Sequence, residues 1–152
     1  TVGGILTLNA IVGGIIAALY GRSRRILSLL AVFCCCFGAM ALGLGTLALA
    51  PSYQIAIVGL LIMGVGVGWL TPNIMSLGID AADENHRGRA VGNLHSALAI
   101  APAIGVTALE PLVVQIGIGG VLLLTAVLAA LMFAGTVVKQ LNRKSKPLAA
   151  TK

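Results

Sequence analysis

The sequence predicts an all-α, polytopic membrane protein, and three observations carry that prediction. The composition is 59% hydrophobic and 9% charged over 152 residues, a balance that the surface of a water-soluble domain does not tolerate. The apolar residues form five stretches, each long enough to cross about 30 Å of hydrocarbon at about 1.5 Å per helical residue. Basic residues occur only in alternate loops and in the C-terminal segment. We therefore expect a bundle of five transmembrane helices.

Polar or turn-forming residues bound each expected span. The first span contains two Gly-Gly pairs, and the second follows the loop Gly21–Arg25 and ends at Pro51. The third contains the most glycines, the fourth ends at Glu110 and Pro111, and the fifth runs into a basic cytoplasmic tail at 139–152. Glu110 is expected to lie at the interface with water. The transmembrane bundle, 1–138, has its spans at about residues 1–20, 26–50, 54–79, 90–109 and 117–138.

The positive charges predict an orientation. Arginines occur in the first and third loops, the second and fourth loops have none, and the remaining basic residues lie in the tail. Cytoplasmic loops of membrane proteins carry an excess of Lys and Arg, so the first loop, the third loop and the tail are expected in the cytoplasm. The N-terminus then lies outside without the features of a signal peptide. We expect that upstream helices precede it, and that the chain is a piece of a larger transporter of the inner (plasma) membrane.

Several function classes are excluded. The formal net charge is +6, but the basic residues lie in loops with almost no aromatic neighbours, so nucleic-acid binding is not expected. No paired His/Glu metal spacing, nucleophile elbow or phosphate-binding loop occurs, so neither an enzyme nor a cofactor is expected. The consecutive cysteines 34–36 point about 100° apart on a helix and converge on no metal. We interpret them as small packing residues.

The third span carries most of the polar residues found within the membrane. On a helix, positions three and four apart share a face, so Gly66, Trp69, Asn73, Ser76 and Asp80 form one stripe. An unsatisfied amide in hydrocarbon costs several kcal/mol, so Asn73 is expected either to bond a neighbouring helix or to contact a ligand. Trp69 is expected either to contact a substrate or to pack inside the bundle. The proline that lies between them is expected to kink the helix and to act, as an alternative, as a hinge.

Two motifs resemble the major facilitator superfamily. The run from Gly14 through Gly21 to Arg25 is similar to its short cytoplasmic loop motif, in which two glycines, an acidic residue and basic residues recur. Ala18 stands at the acidic position. The run from Gly64 to Asn73, followed by Asp80 and by Arg87–Gly92, resembles the tenth helix, the next loop and the start of the eleventh helix. Together these motifs align the five spans with helices eight to twelve, in the C-terminal half of the family's fold.

The resemblance implies a secondary transporter that works by alternating access, with the tenth helix lining the central cavity. It implies a substrate path formed by Trp69, Thr71, Asn73, Ser76, Asn9, Asn93 and His95. For His95, proton coupling is weighed against a hydrogen bond to a neighbouring helix or a place in the cytoplasmic vestibule. The residues expected to act in the cytoplasmic loops and in gating are Gly14, Gly21, Arg22, Arg24, Arg25, Asp80, Arg87 and Arg89. Asp83 and Glu84 are further possible partners for the arginines.

Small residues at intervals of four predict close helix packing. These are Gly64, Gly68, Gly88, Gly92, Ala97, Ala101 and Gly105.

Three function hypotheses remain. The first is a transporter of a small, neutral or lipophilic solute, since no charged side chain lies near the middle of a span; proton-coupled efflux is the expected form. The second is a membrane-embedded structural or assembly subunit, and the third is the permease subunit of an ATP-driven transporter. The expected partners are a small-molecule substrate, the lipid bilayer and the missing N-terminal helices. The chain on its own is expected not to transport.

Overall fold

The computed structural model describes the backbone of residues 2–144 and the side chains of Thr7 and residues 9–142. All the regular structure in these residues is helical. Residues 145–152, which make up most of the predicted basic tail, lie outside the described residues. The helices are α1 (Val2–Ala18), α2 (Tyr20–Ser23), α3 (Leu29–Ala48), α4 (Tyr53–Ala81), a 3-10 turn (Glu84–His86) and α5 (Arg87–Lys144).

Helix α5 covers both of the last two predicted spans. Its only non-helical residue is Gly117, with φ 73° and ψ 169°, a conformation that glycine adopts at little cost. We call residues 87–116 the first arm and 118–144 the second arm. The first arm continues through Glu110 and Pro111, where a loop was expected; transmembrane helices tolerate an internal proline when neighbouring groups satisfy the backbone that it leaves unbonded.

Three of the helical segments are long and apolar enough to cross a membrane: Leu29–Ala48, Tyr53–Ala81 and Glu84–Asn142. The last of these is 59 residues long and includes both arms of α5. Helix α1 contributes a shorter apolar stretch, Asn9–Ala18. This architecture confirms the predicted all-α membrane bundle.

Helix α4 lies between α3 and α1, and glycines form both contacts. On the α3 side, a Cβ atom on Gly43 would stand 2.6 Å from the backbone nitrogen of Met63 and 2.7 Å from the carbonyl oxygen of Gly59. A Cβ atom on Gly66 would stand 2.8 Å from the carbonyl oxygen of Cys36. Real Cβ atoms do not approach backbone so closely, so these two helices touch main chain to main chain. Cys36 is buried at this contact.

The opposite face of α4 packs on α1. A Cβ atom on Gly68 would stand 2.5 Å from the carbonyl oxygen of Gly13, and one on Gly64 would overlap Oδ1 of Asn9. Gly64 and Gly68 are one turn apart, as are Asn9 and Gly13, so two short stripes of small surface meet. Both of these α4 glycines were predicted to be packing residues.

The second arm of α5 packs along α3. Its Val121, Ala126 and Ala129 are buried, and the Phe133 ring lies over Gly38, where a Cβ atom would be 3.3 Å away. The first arm is covered much less. Ile104 is 63% exposed and Val106 is 72% exposed, as expected for a helix whose apolar sides meet lipid or helices outside this chain.

Candidate functional site

Asn73 lies at the centre of a hydrogen-bonded junction in the bundle. Its side chain is completely buried. The Tyr20 hydroxyl donates to Asn73 Oδ1 at 2.8 Å, and Asn73 Nδ2 donates to the carbonyl oxygen of Leu29 at 3.2 Å. We call these three residues the Asn73 clasp. It joins α4 to the start of α2 and to the first turn of α3. From the sequence, Asn73 was expected either to bond a neighbouring helix or to contact a ligand, and in the structure its amide forms hydrogen bonds to neighbouring helices.

The loop that precedes α3 is folded by its own hydrogen bonds. Arg24 is half-buried, and its Nη1 donates to the carbonyl oxygen of Leu27 at 3.4 Å. Ser28 caps α3 by accepting a hydrogen bond from the Ala31 backbone nitrogen at 3.2 Å, which satisfies one of the free N–H groups at a helix start. The clasp therefore holds a loop that is already ordered.

Trp69 and Ser76 lie on either side of the clasp along α4, and both are half-buried. The Trp69 Nε1 atom is buried, and no hydrogen-bond partner for it occurs in the described part of the chain. Together with Asn9, whose side chain lies against Gly64, these residues form the inner group of predicted path residues. Their polar atoms lie within the packed bundle.

Thr71 belongs to a different face of α4. It is exposed, and so is Val67, one turn earlier. At about 100° per residue, Thr71 points about 160° away from Trp69. Further along the same face, a Cβ atom on Gly78 would overlap the Leu94 side chain of the first arm. This uncovered side of α4, which we call the open face, therefore leads directly to the start of α5.

Asn93 and His95 flank Leu94, and both are exposed. With Thr71 they form an outer group of predicted path residues. The seven predicted path residues thus separate into an inner group of four, packed in the bundle, and an outer group of three on surfaces that the described helices leave uncovered. The family resemblance placed Thr71 on one path with Trp69 and Asn73, and in the structure Thr71 lies on a different face of α4 from the other two.

The predicted loop residues from Gly21 to Arg25 and from Asp80 to Arg89 lie at one end of the bundle, which we call the basic end, whereas Gly14 lies within α1, next to the contact of Gly13 with Gly68. These predicted residues are exposed except for Arg24. Within the described side chains, none of the loop arginines forms an ion pair with Asp80, Asp83 or Glu84. A Cβ atom on Gly14 or Gly21 would meet nothing within 4 Å.

The small residues of the first arm also lie on uncovered surface. A Cβ atom on Gly88, Gly92 or Gly105 would meet nothing within 4 Å, and Ala97 and Ala101 are exposed. Their predicted role in packing therefore concerns helices outside this chain.

Tyr20 is a site residue that the sequence reasoning missed. Two signals pointed to it: a buried asparagine requires partners, and tyrosine is common where helices leave the membrane. Neither signal identifies which distant hydroxyl reaches Asn73, 53 residues away.

The geometry can be compared with known proteins. The sequence profile of the Major Facilitator Superfamily matches residues 1–152. The chain is 34% identical over 108 residues to the 3-(3-hydroxy-phenyl)propionate transporter of Escherichia coli (strain K12), an alignment that covers 68% of this chain and 25% of that protein. It is 31% identical over 105 residues to the uncharacterized MFS-type transporter YhcA of Bacillus subtilis (strain 168), covering 68% of this chain and 19% of that protein.

The chain thus spans about a quarter or less of the length of these relatives. No solved structure gives a significant match. The family consists of transporters and not of enzymes. An all-helical apolar bundle, the two loop motifs and a profile match over the whole chain lead to one conclusion: this chain belongs to the Major Facilitator Superfamily.

Proposed function

We propose that the chain forms part of a secondary transporter that moves a small, neutral or lipophilic solute by alternating access. The observation that carries this proposal is the outer group on otherwise apolar, uncovered helix surface. Thr71 lies on the open face of α4, and Asn93 and His95 lie on the first arm on either side of Leu94, whose side chain lies against Gly78 further along that face. Polar side chains on apolar spans are costly unless they face water, protein or a ligand, so the outer group supports a solute path along the open face.

The inner group supports that path from within the bundle. The Asn73 clasp fixes α4 against α3 at the level of Pro72, and Trp69 and Ser76 lie beside it. The loop residues at the basic end, with Asp80, form the proposed gate, and the small residues of the first arm form the proposed contact with the missing helices. In this proposal the basic end is cytoplasmic, the N-terminus is outside, and the membrane is the bacterial inner membrane.

We further propose proton-coupled efflux, with His95 as the coupling residue. An imidazole can bind and release a proton, and His95 is exposed on the first arm, about 9 Å from the start of that span. The described part of the chain offers no other titratable side chain near the open face at this depth. The structural-subunit and ATP-driven alternatives are set aside, because the chain belongs to the Major Facilitator Superfamily.

A second candidate function comes from the name of the Escherichia coli relative, which describes a transporter of an aromatic carboxylate. Such an anion requires a cationic partner in the binding site, and the predicted spans of this chain contain no lysine or arginine. The candidate therefore depends on a protonated His95 or on a positive charge supplied by helices outside this chain.

The path is tested by single cysteines in the full-length protein with Cys34, Cys35 and Cys36 replaced. We expect Thr71→Cys and His95→Cys to react with a membrane-impermeant thiol reagent, because both positions are exposed. Asn73→Cys, two residues from Thr71, is the matched control and is expected to stay unlabelled because its site is buried. Equal labelling of positions 71 and 73 would contradict the proposed open face.

The solute and the coupling are tested by transport in vesicles with the same protein. Protection of Thr71→Cys by lipophilic neutral compounds, together with proton-driven extrusion that His95→Gln abolishes, is the expected result. Uptake of 3-(3-hydroxyphenyl)propionate with no effect of lipophilic compounds would favour the second candidate. Transport that is unchanged in His95→Gln would overturn the proposed coupling role.

A further inference from the structure

A groove of about 410 Å³ opens between α3, α4 and the second arm at the basic end. Its walls are almost entirely apolar, with Leu29, Phe33 and Phe37 from α3, Leu77 from α4 and Met132 from the second arm. The Phe33 and Phe37 rings stack with their centroids 6.0 Å apart. The volume is in the range of ligand clefts, roughly 300–1,000 Å³.

The length of the groove matches one leaflet of a bilayer. Its α3 wall runs from Leu29 to Phe37 and its second-arm wall from Leu131 to Lys139. Each wall advances eight residues, about 12 Å, and half of the hydrocarbon core is about 15 Å. The groove therefore extends from the basic end through most of the nearer leaflet.

One charged side chain stands at the mouth of the groove. Lys139 lies 21 residues after Ile118, where the second arm begins, so the arm rises about 32 Å before it. That rise is about the thickness of the hydrocarbon core, which places the ammonium group at the level of the lipid headgroups. The only other polar side chain in the lining is Thr136, and its hydroxyl already donates to the Phe133 carbonyl oxygen at 2.8 Å.

We infer that this groove binds one anionic phospholipid, with an acyl chain along the Phe33–Phe37 wall and the phosphate beside Lys139. An acyl chain gains little hydrophobic free energy when it leaves the surrounding lipid, since lipid tails are as apolar as the walls. Selectivity must therefore come from shape and from the headgroup charge. Arg24 and Arg25, five and four residues before Leu29, add positive charge at the same end, whereas Asp80, one turn beyond Leu77, is the nearest opposing charge on α4.

The structure offers two substitutions that separate shape from charge. Gly135 lines the groove, and a Cβ atom there would meet nothing within 4 Å, so Gly135→Leu fills the groove without displacing a neighbour. Gly119 is a second glycine of the same arm with nothing within 4 Å of its Cβ position, and it lies outside the groove. Gly119→Leu is therefore the matched control. Lys139→Gln removes the charge that would bind the headgroup and keeps a polar side chain that is one atom shorter.

The test uses the full-length protein in nanodiscs of phosphatidylcholine with a minor fraction of spin-labelled phosphatidylglycerol or spin-labelled phosphatidylcholine. The measured quantity is the motionally restricted fraction of each labelled lipid. We expect the wild-type protein and Gly119→Leu to restrict phosphatidylglycerol more strongly. Lys139→Gln is expected to lower that preference about fivefold, and high salt is expected to weaken it in the wild type. Gly135→Leu is expected to lose one restricted lipid.

Two results would overturn the inference. Equal restriction of both lipids by the wild-type protein would exclude headgroup recognition by Lys139. A restricted fraction that Gly135→Leu leaves unchanged would mean that another segment of the protein fills the groove. Neither result depends on the transported solute, so the test of this inference is independent of the proposed transport function.

Discussion

Replacing Gly43 by leucine is expected to destabilise the bundle by about 3 kcal/mol or more. A Cβ atom at this position would stand 2.6 Å from the Met63 nitrogen and 2.7 Å from the Gly59 carbonyl oxygen. Both are backbone atoms, which cannot rotate away as a side chain does, so α3 and α4 must separate along the contact. The measurement is the midpoint of chemical unfolding in mixed micelles, compared between the full-length wild type and the variant.

Gly45→Leu is the matched control for that experiment. Gly45 lies two residues further along α3, and a Cβ atom there would meet nothing within 4 Å. The two substitutions add the same side chain to the same helix, so both change helix propensity equally. We expect Gly45→Leu to leave the midpoint close to that of the wild type. A similar loss of stability in both variants would show that α3 and α4 do not meet at Gly43.

Replacing Asn73 by leucine is expected to cost about 2 kcal/mol of stability. The substitution removes both hydrogen bonds of the clasp and leaves the Tyr20 hydroxyl without its acceptor, which by itself costs about 1–3 kcal/mol when the group is buried. Hydrogen bonds between transmembrane helices average about 0.6 kcal/mol and reach about 1.7 kcal/mol, so two of them account for a loss of this size. The same unfolding midpoint measures it.

Two further variants isolate the clasp from a general effect of the leucine. Tyr20→Phe removes only the hydroxyl and is expected to cost about 1 kcal/mol. In the double variant the losses are expected to be less than additive, because the second substitution removes a bond that the first has already broken. Asn93→Leu is the surface control and is expected to leave the midpoint nearly unchanged, since Asn93 is exposed. Full additivity at positions 20 and 73 would argue against the hydrogen bond.

Under the proposed transport function, the position of the clasp gives it a role in gating. In the proposed cycle the loop at 19–28 belongs to the gate, and α4 lines the path. The clasp connects the two directly, one residue after Pro72. A transporter that lacks the clasp is therefore expected to retain its fold near room temperature while its gate responds less to solute.

The candidate site shows which features followed from the sequence and which required the tertiary structure. The stripe from Gly66 to Asp80 was read correctly as a shared helix face, because helical periodicity depends only on spacing. The environment of that face did not follow from the spacing, since Asn73 is buried in packed protein whereas Asp80, on the same stripe, is exposed. Periodicity sets which residues lie together on one helix, but not which neighbouring helix covers them.

The glycines and helix α5 also show which features followed from the sequence and which required the tertiary structure. The Gly64 and Gly68 spacing indicated a close helix contact, and α1 makes that contact. The close contact of Gly43 with Gly59 could not be predicted from a regular spacing of glycines, because the two residues belong to different helices. Similarly, Glu110 and Pro111 resembled the end of a span, yet proline fits the helical backbone and the break falls at Gly117, where φ is positive.

By itself, the sequence determined the membrane environment and the secondary structure of this protein. Long apolar stretches can satisfy their backbone hydrogen bonds within a membrane only as helices, so an all-α bundle followed from composition and length. Only the tertiary structure decided that Tyr20 and the Leu29 carbonyl satisfy Asn73, that Thr71 lies on the open face, and that a groove ends at Lys139. These features join residues tens of positions apart, and their contacts depend on how whole helices pack.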